Sequence, residues 1–321
     1  MITTFRLAEL RARADELAAD RGAGSVVSIG MFDGVHLGHR AILQTNVERA
    51  RERGVKATVV TFRSHPKRLL LGRAPKTLTT LEHRLELFER AGIDHACALS
   101  FDEELRSMDA LRFVRELCVE GLGAEAFVLG FDSKFGNGRK GTPELLGAEG
   151  FDVEVVPKVS IRGRAVSSTA IREAVELGDL EAARGMLGRR VSVFGRVVHG
   201  AHLGRELGFP TANLDLHHEL HPPPGVYACR VRVLAKDGVG KHEGACNIGF
   251  RPTVTPEPSP RPLVEVHLFD FEGDLYGQRM ELEFVKRLRG EKRFSGLKEL
   301  TAQIAKDTED ARAALAGEAG G

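Results

Sequence analysis

The sequence contains no tryptophan, and only 2 tyrosines and 4 cysteines occur among its 321 residues. Cys97, Cys118, Cys229 and Cys246 form no Cys-x-x-Cys pair, and no histidine stands around them at zinc-site spacing. Neither a disulfide scaffold nor a zinc ribbon is expected; the natural reading is reduced thiols in a cytoplasmic protein. An excess of one charge is missing as well: 46 Lys and Arg against 45 Asp and Glu leave a formal +1. A dedicated binder of nucleic acid or of an anionic membrane surface is usually clearly basic, so neither partner is expected. No apolar run approaches the ~18 residues of a membrane span. The amino terminus, MITTFRLAELR, mixes acids and bases where a signal peptide carries its apolar segment.

What is present is length and pattern. At ~150 residues per domain the chain makes two domains, and a chain of this size buries on the order of 75% of its unfolded surface without a staple. Residues 25–156 alternate short apolar strands with amphipathic helices. Strands are expected at Ser25–Met31, Val55–Phe62, Asp94–Phe101, Ala126–Gly130 and Phe151–Val156. Helices are expected at Gly38–Arg53, from a Thr79/Glu82 capping box to Arg90, and at Asp109–Glu120. This alternation implies parallel strands with right-handed crossovers, a doubly wound, Rossmann-like α/β domain. Helices follow at Ala170–Glu176 and Asp179–Leu187. From Val191 the pattern turns to short strands: Val191–His199, Gly225–Leu234, Glu243–Ile248, Leu263–Phe271 and Gln278–Leu288, the last two joined by a tight turn at Glu272-Gly273-Asp274. With a closing helix at Ser295–Leu315 this predicts an all-β sandwich or small barrel. The division falls at 187/188, giving domains 1–187 and 188–321. The proline-rich stretch Pro252–Pro262 reads as a surface loop, since proline gives a central strand no ladder donor.

Gly30-Met31-Phe32-Asp33-Gly34-Val35-His36-Leu37-Gly38-His39 lies where the first strand hands over to the first helix. Ligands of open α/β sheets bind beyond the carboxyl ends of the strands, and a helix amino terminus suits phosphate. His36 and His39, three apart, face the same way on a helical turn. The stretch resembles the signature of the HxGH nucleotidyltransferases, and its longer form is similar to cytidylyltransferases and FAD synthetases. Val166-Ser167-Ser168-Thr169-Ala170-Ile171-Arg172 puts three hydroxyls before a helix, which capping alone would explain. It also resembles the Ser-Ser-Thr-x-Ile-Arg segment of that superfamily. Gly130–Gly141 is similar to the flavin-holding Gly-x-Asp-Phe-x-Phe-Gly segment of bacterial FAD synthetases, with Ser133 where an aromatic is expected. Thr61-Phe62-Arg63-Ser64-His65-Pro66 resembles a further turn of that family, with Arg63 unusual in it.

Glycines 195, 200, 204 and 208 lead into Phe209-Pro210-Thr211-Ala212-Asn213. In an extended strand Thr211 and Asn213 share a face. Their oxygens are hard ligands of the kind that suit Mg²⁺ carrying nucleotide phosphates, although an ordinary polar strand face has the same spacing. The segment resembles the riboflavin kinase signature. So do, in order, Pro224–Tyr227, Asn247–Thr253, the strand Glu265–Phe271 and Leu288–Phe294. By strand alternation alone Glu265 faces solvent; the resemblance makes it catalytic instead. The whole, from about Ser25 to Asp307, resembles the bacterial bifunctional riboflavin kinase/FAD synthetase family.

That resemblance implies an HxGH nucleotidyltransferase domain followed by a β-barrel kinase domain with a C-terminal helix. It implies two ATP-dependent, Mg²⁺-dependent reactions, riboflavin to FMN and FMN to FAD. The implied catalytic residues are Glu265, His36, His39 and Arg172. Contacts to ATP are implied for Gly30, Phe32, Asp33, Gly34, Ser167, Ser168, Thr169, Gly200, Gly204, Gly208 and Asn247. Contacts to flavin are implied for Asp132, Phe135, Arg139 and Arg289, and contacts to the metal for Thr211 and Asn213. Two alternatives stay open at this level. One is kinase activity alone, with Ser133 and Arg63 marking a degenerate first domain; the other is a flavin-binding regulator without catalysis. The oligomeric state is not legible.

Overall fold

The computed structural model describes residues 2–5, 24–64, 76–200, 203–217, 219–235, 238–250 and 262–318. His65-Pro66, Ala201-His202 and most of the proline-rich loop, residues 252–261, lie outside the described residues. The chain divides into two compact units, Met1–Ser168 and Thr169–Gly321.

The first unit is built on a six-stranded parallel sheet: β1 (Ile2–Phe5), β2 (Ser25–Ile29), β3 (Lys56–Phe62), β4 (His95–Leu99), β5 (Ala124–Gly130) and β6 (Val153–Val156), in the order β1-β4-β3-β2-β5-β6. Alternate strand residues feed two cores. Val26, Val59, Ala96 and Val128 pack with Leu43 and Phe88 of the helices α1 (Leu37–Arg53) and α2 (Leu81–Arg90). Val27, Val60, Cys97 and Phe127 pack on the other side with Phe113 and Leu117 and with Leu146 of helix α3 (Pro143–Ala148). The expected doubly wound domain is present. The chain order reverses between β2 and β5, which are neighbours, so the loops leaving both strands open at the switch point where such sheets take ligands.

Three details differ from expectation. The capping box moves by one residue: the Thr80 hydroxyl, not that of Thr79, accepts from the His83 N–H and starts α2. Asp109 caps a helical turn as expected, but the run continues as a π-helix over Phe113–Gly121. Strand β1 adds an edge beside β4 that four residues are too short to announce by periodicity.

Two short strands, β7 (Ser160–Ile161) and β8 (Arg164–Ala165), pair antiparallel before the chain passes into the second unit through helices α4 (Ser168–Leu177) and α5 (Leu180–Leu187). It continues as β9 (Ser192–Val198), β10 (Ala212–Asp215), β11 (Gly225–Ala235), β12 (Gly238–Phe250), β13 (Pro262–Leu268) and β14 (Arg279–Arg289). These strands close into an antiparallel barrel in the order β10-β13-β12-β11-β14-β9. The barrel, not the sandwich, is thus the outcome. Its interior is filled by Cys246, Ile248, Val264, Val266, Met280 and Leu282, all fully buried. The connection between β13 and β14 spans 269–278 and so is longer than the expected tight turn. Helix α6 (Leu297–Glu318) lies outside the barrel, with Ala311 and Leu315 packed on Ala228, Phe269 and Val285. Among the described residues, no helix is long and apolar enough to cross a membrane.

Candidate active sites

The first site forms where β2 ends. The backbone of loop 30–36 is held in costly conformations at Phe32 (φ 50°) and Val35 (φ 39°), with Gly34 (φ 83°) between them. Such outliers persist only where surroundings over-determine them, and the surroundings are visible. The Gly34 N–H donates to the Thr79 hydroxyl at 2.9 Å, and the Thr79 N–H donates to Asp33 Oδ1 at 3.1 Å. At Gly34 a Cβ would lie 2.7 Å from Leu78, so the crossing segment leaves no room for a side chain. The Ser168 hydroxyl donates to the Asp33 carbonyl at 3.0 Å, which ties the hydroxyl-rich segment to the loop. Asp33 itself is 2% exposed; its carboxylate organises the loop.

His36 is the N-cap of α1, its Nδ1 accepting the His39 N–H at 3.3 Å. Accepting at Nδ1 leaves the proton on Nε2. The His36 and His39 rings stack with centroids 3.6 Å apart, and Phe32 sets its edge against His39 at 5.2 Å. The first turn of α1 carries no acidic side chain, so nothing opposes the positive end of the helix dipole there. Both histidines, the helix end and the strained loop therefore converge on one corner whose chemistry suits an anion. Thr169 and Arg172 lie on the first turns of α4, immediately after Ser167.

The loop leaving the adjacent β5 carries the second expected set. Asp132 and Arg139 are exposed, Arg139 at φ 59° on a short 3₁₀ turn. Phe135 is 7% exposed and packed against Phe113, and it bridges to Gly141. Its ring is committed to the core, so it supports the loop and does not offer a face to a ligand. Arg63 points out at the surface and Ser133 is half-buried.

Sequence reasoning took Thr79 only as a helix cap and missed its hold on the loop, and it missed Arg84 altogether. Arg84 is 1% exposed and reaches under the first loop, with Nη1 donating to the Met31 carbonyl at 2.6 Å and Nη2 to the Phe62 carbonyl at 2.8 Å. Burial lowers its pKa to about 10, against an opposing pull from Asp33. The sequence did hold a signal: position 84 falls on the apolar stripe Leu81, Leu85, Phe88.

The second site lies on the outside of the barrel. Glu265 on β13 stands directly opposite Asn213 on β10 and opposite Asn247 on β12. The three side chains thus form one row on the face opposite to the buried Val264 and Val266. Glu265 and Asn247 of that row line a cavity of about 670 Å³, lined also by Thr211 and Arg289 and roofed by Leu300, Ile304 and Thr308 of α6. Glycines 200 and 204 approach Asn213 and Thr211 closely: a Cβ at Gly200 would come within 2.2 Å of the Asn213 amide, and one at Gly204 within 3.2 Å of Thr211 Oγ1. Asn213 is 5% exposed, and its Oδ1 is buried with no hydrogen-bond partner among the described residues. A buried, unsatisfied hard oxygen beside a hydroxyl is a donor set that suits a divalent cation brought by a nucleotide. No cluster of three or more His, Cys, Asp or Glu among the described residues is arranged for a metal. Arg289 is gripped through Nε and Nη2 by Asp307 of α6, which pins the helix beside the cavity. Gly208 lies on the exposed far part of the glycine loop.

Comparison with known proteins follows this division. A family model described as FAD synthetase matches residues 19–170, and one described as riboflavin kinase matches residues 187–315. Curated proteins named bifunctional riboflavin kinase/FMN adenylyltransferase are similar along nearly the whole length. The Escherichia coli K12 protein is 40% identical over 90% of this chain and 92% of its own. The Haemophilus influenzae protein is 38% identical over 90% and 94%, and the Bacillus subtilis protein 37% over 92% and 94%. A crystal structure described as a macrolide-efflux protein from Streptococcus pneumoniae superposes with a TM-score of 0.77 at 28% identity, covering 96% of this chain and 98% of that one.

Proposed function

The chain belongs to the bifunctional riboflavin kinase/FMN adenylyltransferase family, and from that premise we propose which residues carry each reaction. The enzyme phosphorylates riboflavin to FMN with release of ADP, and adenylylates FMN to FAD with release of pyrophosphate. Relatives matched over about nine-tenths of the chain carry both activities in their names, so neither the kinase-only reading nor the non-catalytic regulator is favoured.

The observation that carries the kinase assignment is that Glu265 and Asn247 line one cavity while Asn213 stands directly opposite Glu265 on the neighbouring strand. The ribityl hydroxyl is neutral and needs a base; Glu265 accepts its proton as the oxygen attacks the γ-phosphate, and ADP leaves. A positioned base contributes about 10²–10⁴-fold. Thr211 and Asn213 would hold Mg²⁺, which when bound neutralises phosphate charge. Glycines 200, 204 and 208 let the backbone approach the nucleotide, Asn247 orients it, and Arg289 borders the flavin.

In the other domain the FMN phosphate is already an anion, so attack on the α-phosphorus of ATP needs no base. His36 and His39 donate to the phosphate oxygens as charge develops, His36 through Nε2. Gly30, Phe32, Asp33, Gly34, Ser167, Ser168 and Thr169 shape the triphosphate corner, and Arg172 stabilises the pyrophosphate. Asp132 and Arg139 contact the flavin, with Phe135 supporting their loop. The functional division follows the chemistry at 1–187 and 188–321, and the enzyme works in the cytoplasm.

The test is direct. Purified protein with riboflavin, ATP and Mg²⁺ should yield FMN and then FAD on chromatography. Changing His36→Ala together with His39→Ala should abolish FAD and spare FMN. Equal loss of both products would sink the two-site assignment.

A further inference from the structure

We propose that Arg84 is a positioning residue for adenylyl transfer: from α2 it fixes the ends of β2 and β3 and so holds loop 31–36 in the shape that presents His36 and His39. The inference rests on the reading of that loop as the adenylyl-transfer site.

The guanidinium sits where β2 and β3 end side by side. Nη1 donates to the Met31 carbonyl at 2.6 Å and to Thr61 Oγ1 at 3.1 Å, while Nη2 donates to the Phe62 carbonyl at 2.8 Å. Thr61 Oγ1 in turn donates to the same Met31 carbonyl at 3.1 Å. Two strands are thereby joined through one planar fork, a geometry that lysine cannot reproduce. Because the peptide is planar and trans, fixing the Met31 carbonyl also fixes the Phe32 N–H on the opposite side of the same plane.

The hold is two-sided. Thr79 precedes the same helix and grips Asp33 and Gly34 of the same loop. One short stretch, Thr79 to Arg84, therefore anchors residues 31, 33 and 34. Stability alone does not account for the choice of residue. Position 84 lies among Leu81, Leu85 and Phe88, where an apolar side chain would pack without burying a charge. Nε is moreover buried with no hydrogen-bond partner among the described residues, a cost of the kind found at sites shaped for function.

The bifunctional chain supplies its own control. Arg84→Met should lower the turnover of FAD formation from supplied FMN by about 10²-fold, the loss expected from ångström-scale misplacement of reacting groups. FMN formation from riboflavin and the KM for FMN should stay at wild-type values. Arg84→Lys should recover part of the loss, because an ammonium serves the Met31 or the Phe62 carbonyl but not both. If R84M does not fold, Thr61→Val removes one acceptor at constant volume. It should lower FAD turnover about tenfold, the worth of one hydrogen bond to a charged group. The inference is overturned if the variant that folds keeps FAD turnover within about threefold of wild type, or if R84K is no better than a folded R84M. The double change of His36 and His39 to alanine, run alongside, separates the two failures. FAD formation surviving that change would overturn the site itself; its loss with R84M fully active would overturn only Arg84's role.

Discussion

Replacing Gly200 by alanine should disable the kinase and leave adenylyl transfer alone. A Cβ built at Gly200 lies 2.2 Å from the Asn213 amide nitrogen and 2.7 Å from Oδ1. Ordinary contact begins near 3.4 Å, so about 1.2 Å of movement is needed, shared between the loop and a buried side chain. The Asn213 backbone is held by pairing on both sides, to Val198 and to Glu265, and its side chain, 5% exposed, has little open space to swing into. The displaced oxygen is the one assigned to the cation. Misplacement by an ångström costs about 10²-fold, equivalent to about 2.7 kcal/mol of transition-state stabilisation. The assay is initial-rate FMN formation at saturating ATP across a Mg²⁺ titration, with FAD formation from supplied FMN in the same preparation as control. The variant should show the turnover loss together with a higher Mg²⁺ requirement. Kinase turnover within about threefold of wild type would refute the reasoning, because a methyl group cannot occupy that space without moving Asn213. Parallel loss of both reactions would refute it too.

Glu265→Gln should lower kinase turnover by about 10²–10⁴-fold with FAD formation from FMN intact, and wild-type turnover would remove the base. Asp307→Ala leaves Arg289 without its carboxylate in a setting where the Asp307 side chain is 7% and the Arg289 side chain 23% exposed. Partial exposure discounts the cost to about 1–3 kcal/mol, read as a lowered denaturation midpoint; an unchanged midpoint would show the clamp to be idle. Glu299 is held down from its ordinary 4.5 to about 2, first by the Ser295 N–H, then by the Ser295 hydroxyl and by Lys292. A depressed carboxyl stabilises fully above its unfolded value and loses that contribution as pH falls through its folded value. Amide protection over 295–300, corrected for intrinsic exchange, should hold at neutral pH and fall between 4.5 and 2, with no such fall in Glu299→Gln.

Much of this was legible because the chemistry sits at junctions that announce themselves. Strand followed by glycine-rich turn followed by helix put His36 and His39 at the start of α1, where the structure has them. What escaped was decided by distant partners. Thr79 and Thr80 are equal as local caps; the Gly34 N–H, 45 residues away in sequence, claims the first and leaves α2 to the second. The π-helix at 113–121 has the side-chain pattern of an α-helix and differs only in its hydrogen-bond register, which no side chain reports. Phe135 carries a motif position, yet Phe113 and Gly141 take its ring into the core. Glu265 is the instructive case. Alternation assigned it to the outward face, and it is there; outward does not mean solvent, because α6 and the glycine loop enclose that face of the barrel.

The two sites also differ in how they treat carboxylates, and the charge of each nucleophile explains why. A ribityl hydroxyl must lose a proton, so a carboxylate facing the cavity helps, and Glu265 lines it. An FMN phosphate approaching ATP brings two polyanions together, and there a carboxylate facing the substrates would oppose the reaction. The motif nevertheless contains Asp33. The fold removes its charge from the crevice: Asp33 is 2% exposed, Thr79 donates to Oδ1 from its N–H and its hydroxyl, and Arg84 lies close enough for its charge to be felt. The near-zero net charge of the chain therefore says little about either site. What matters is which way each acid is turned, and in the first site Thr79 does the turning, with the Arg84 charge nearby.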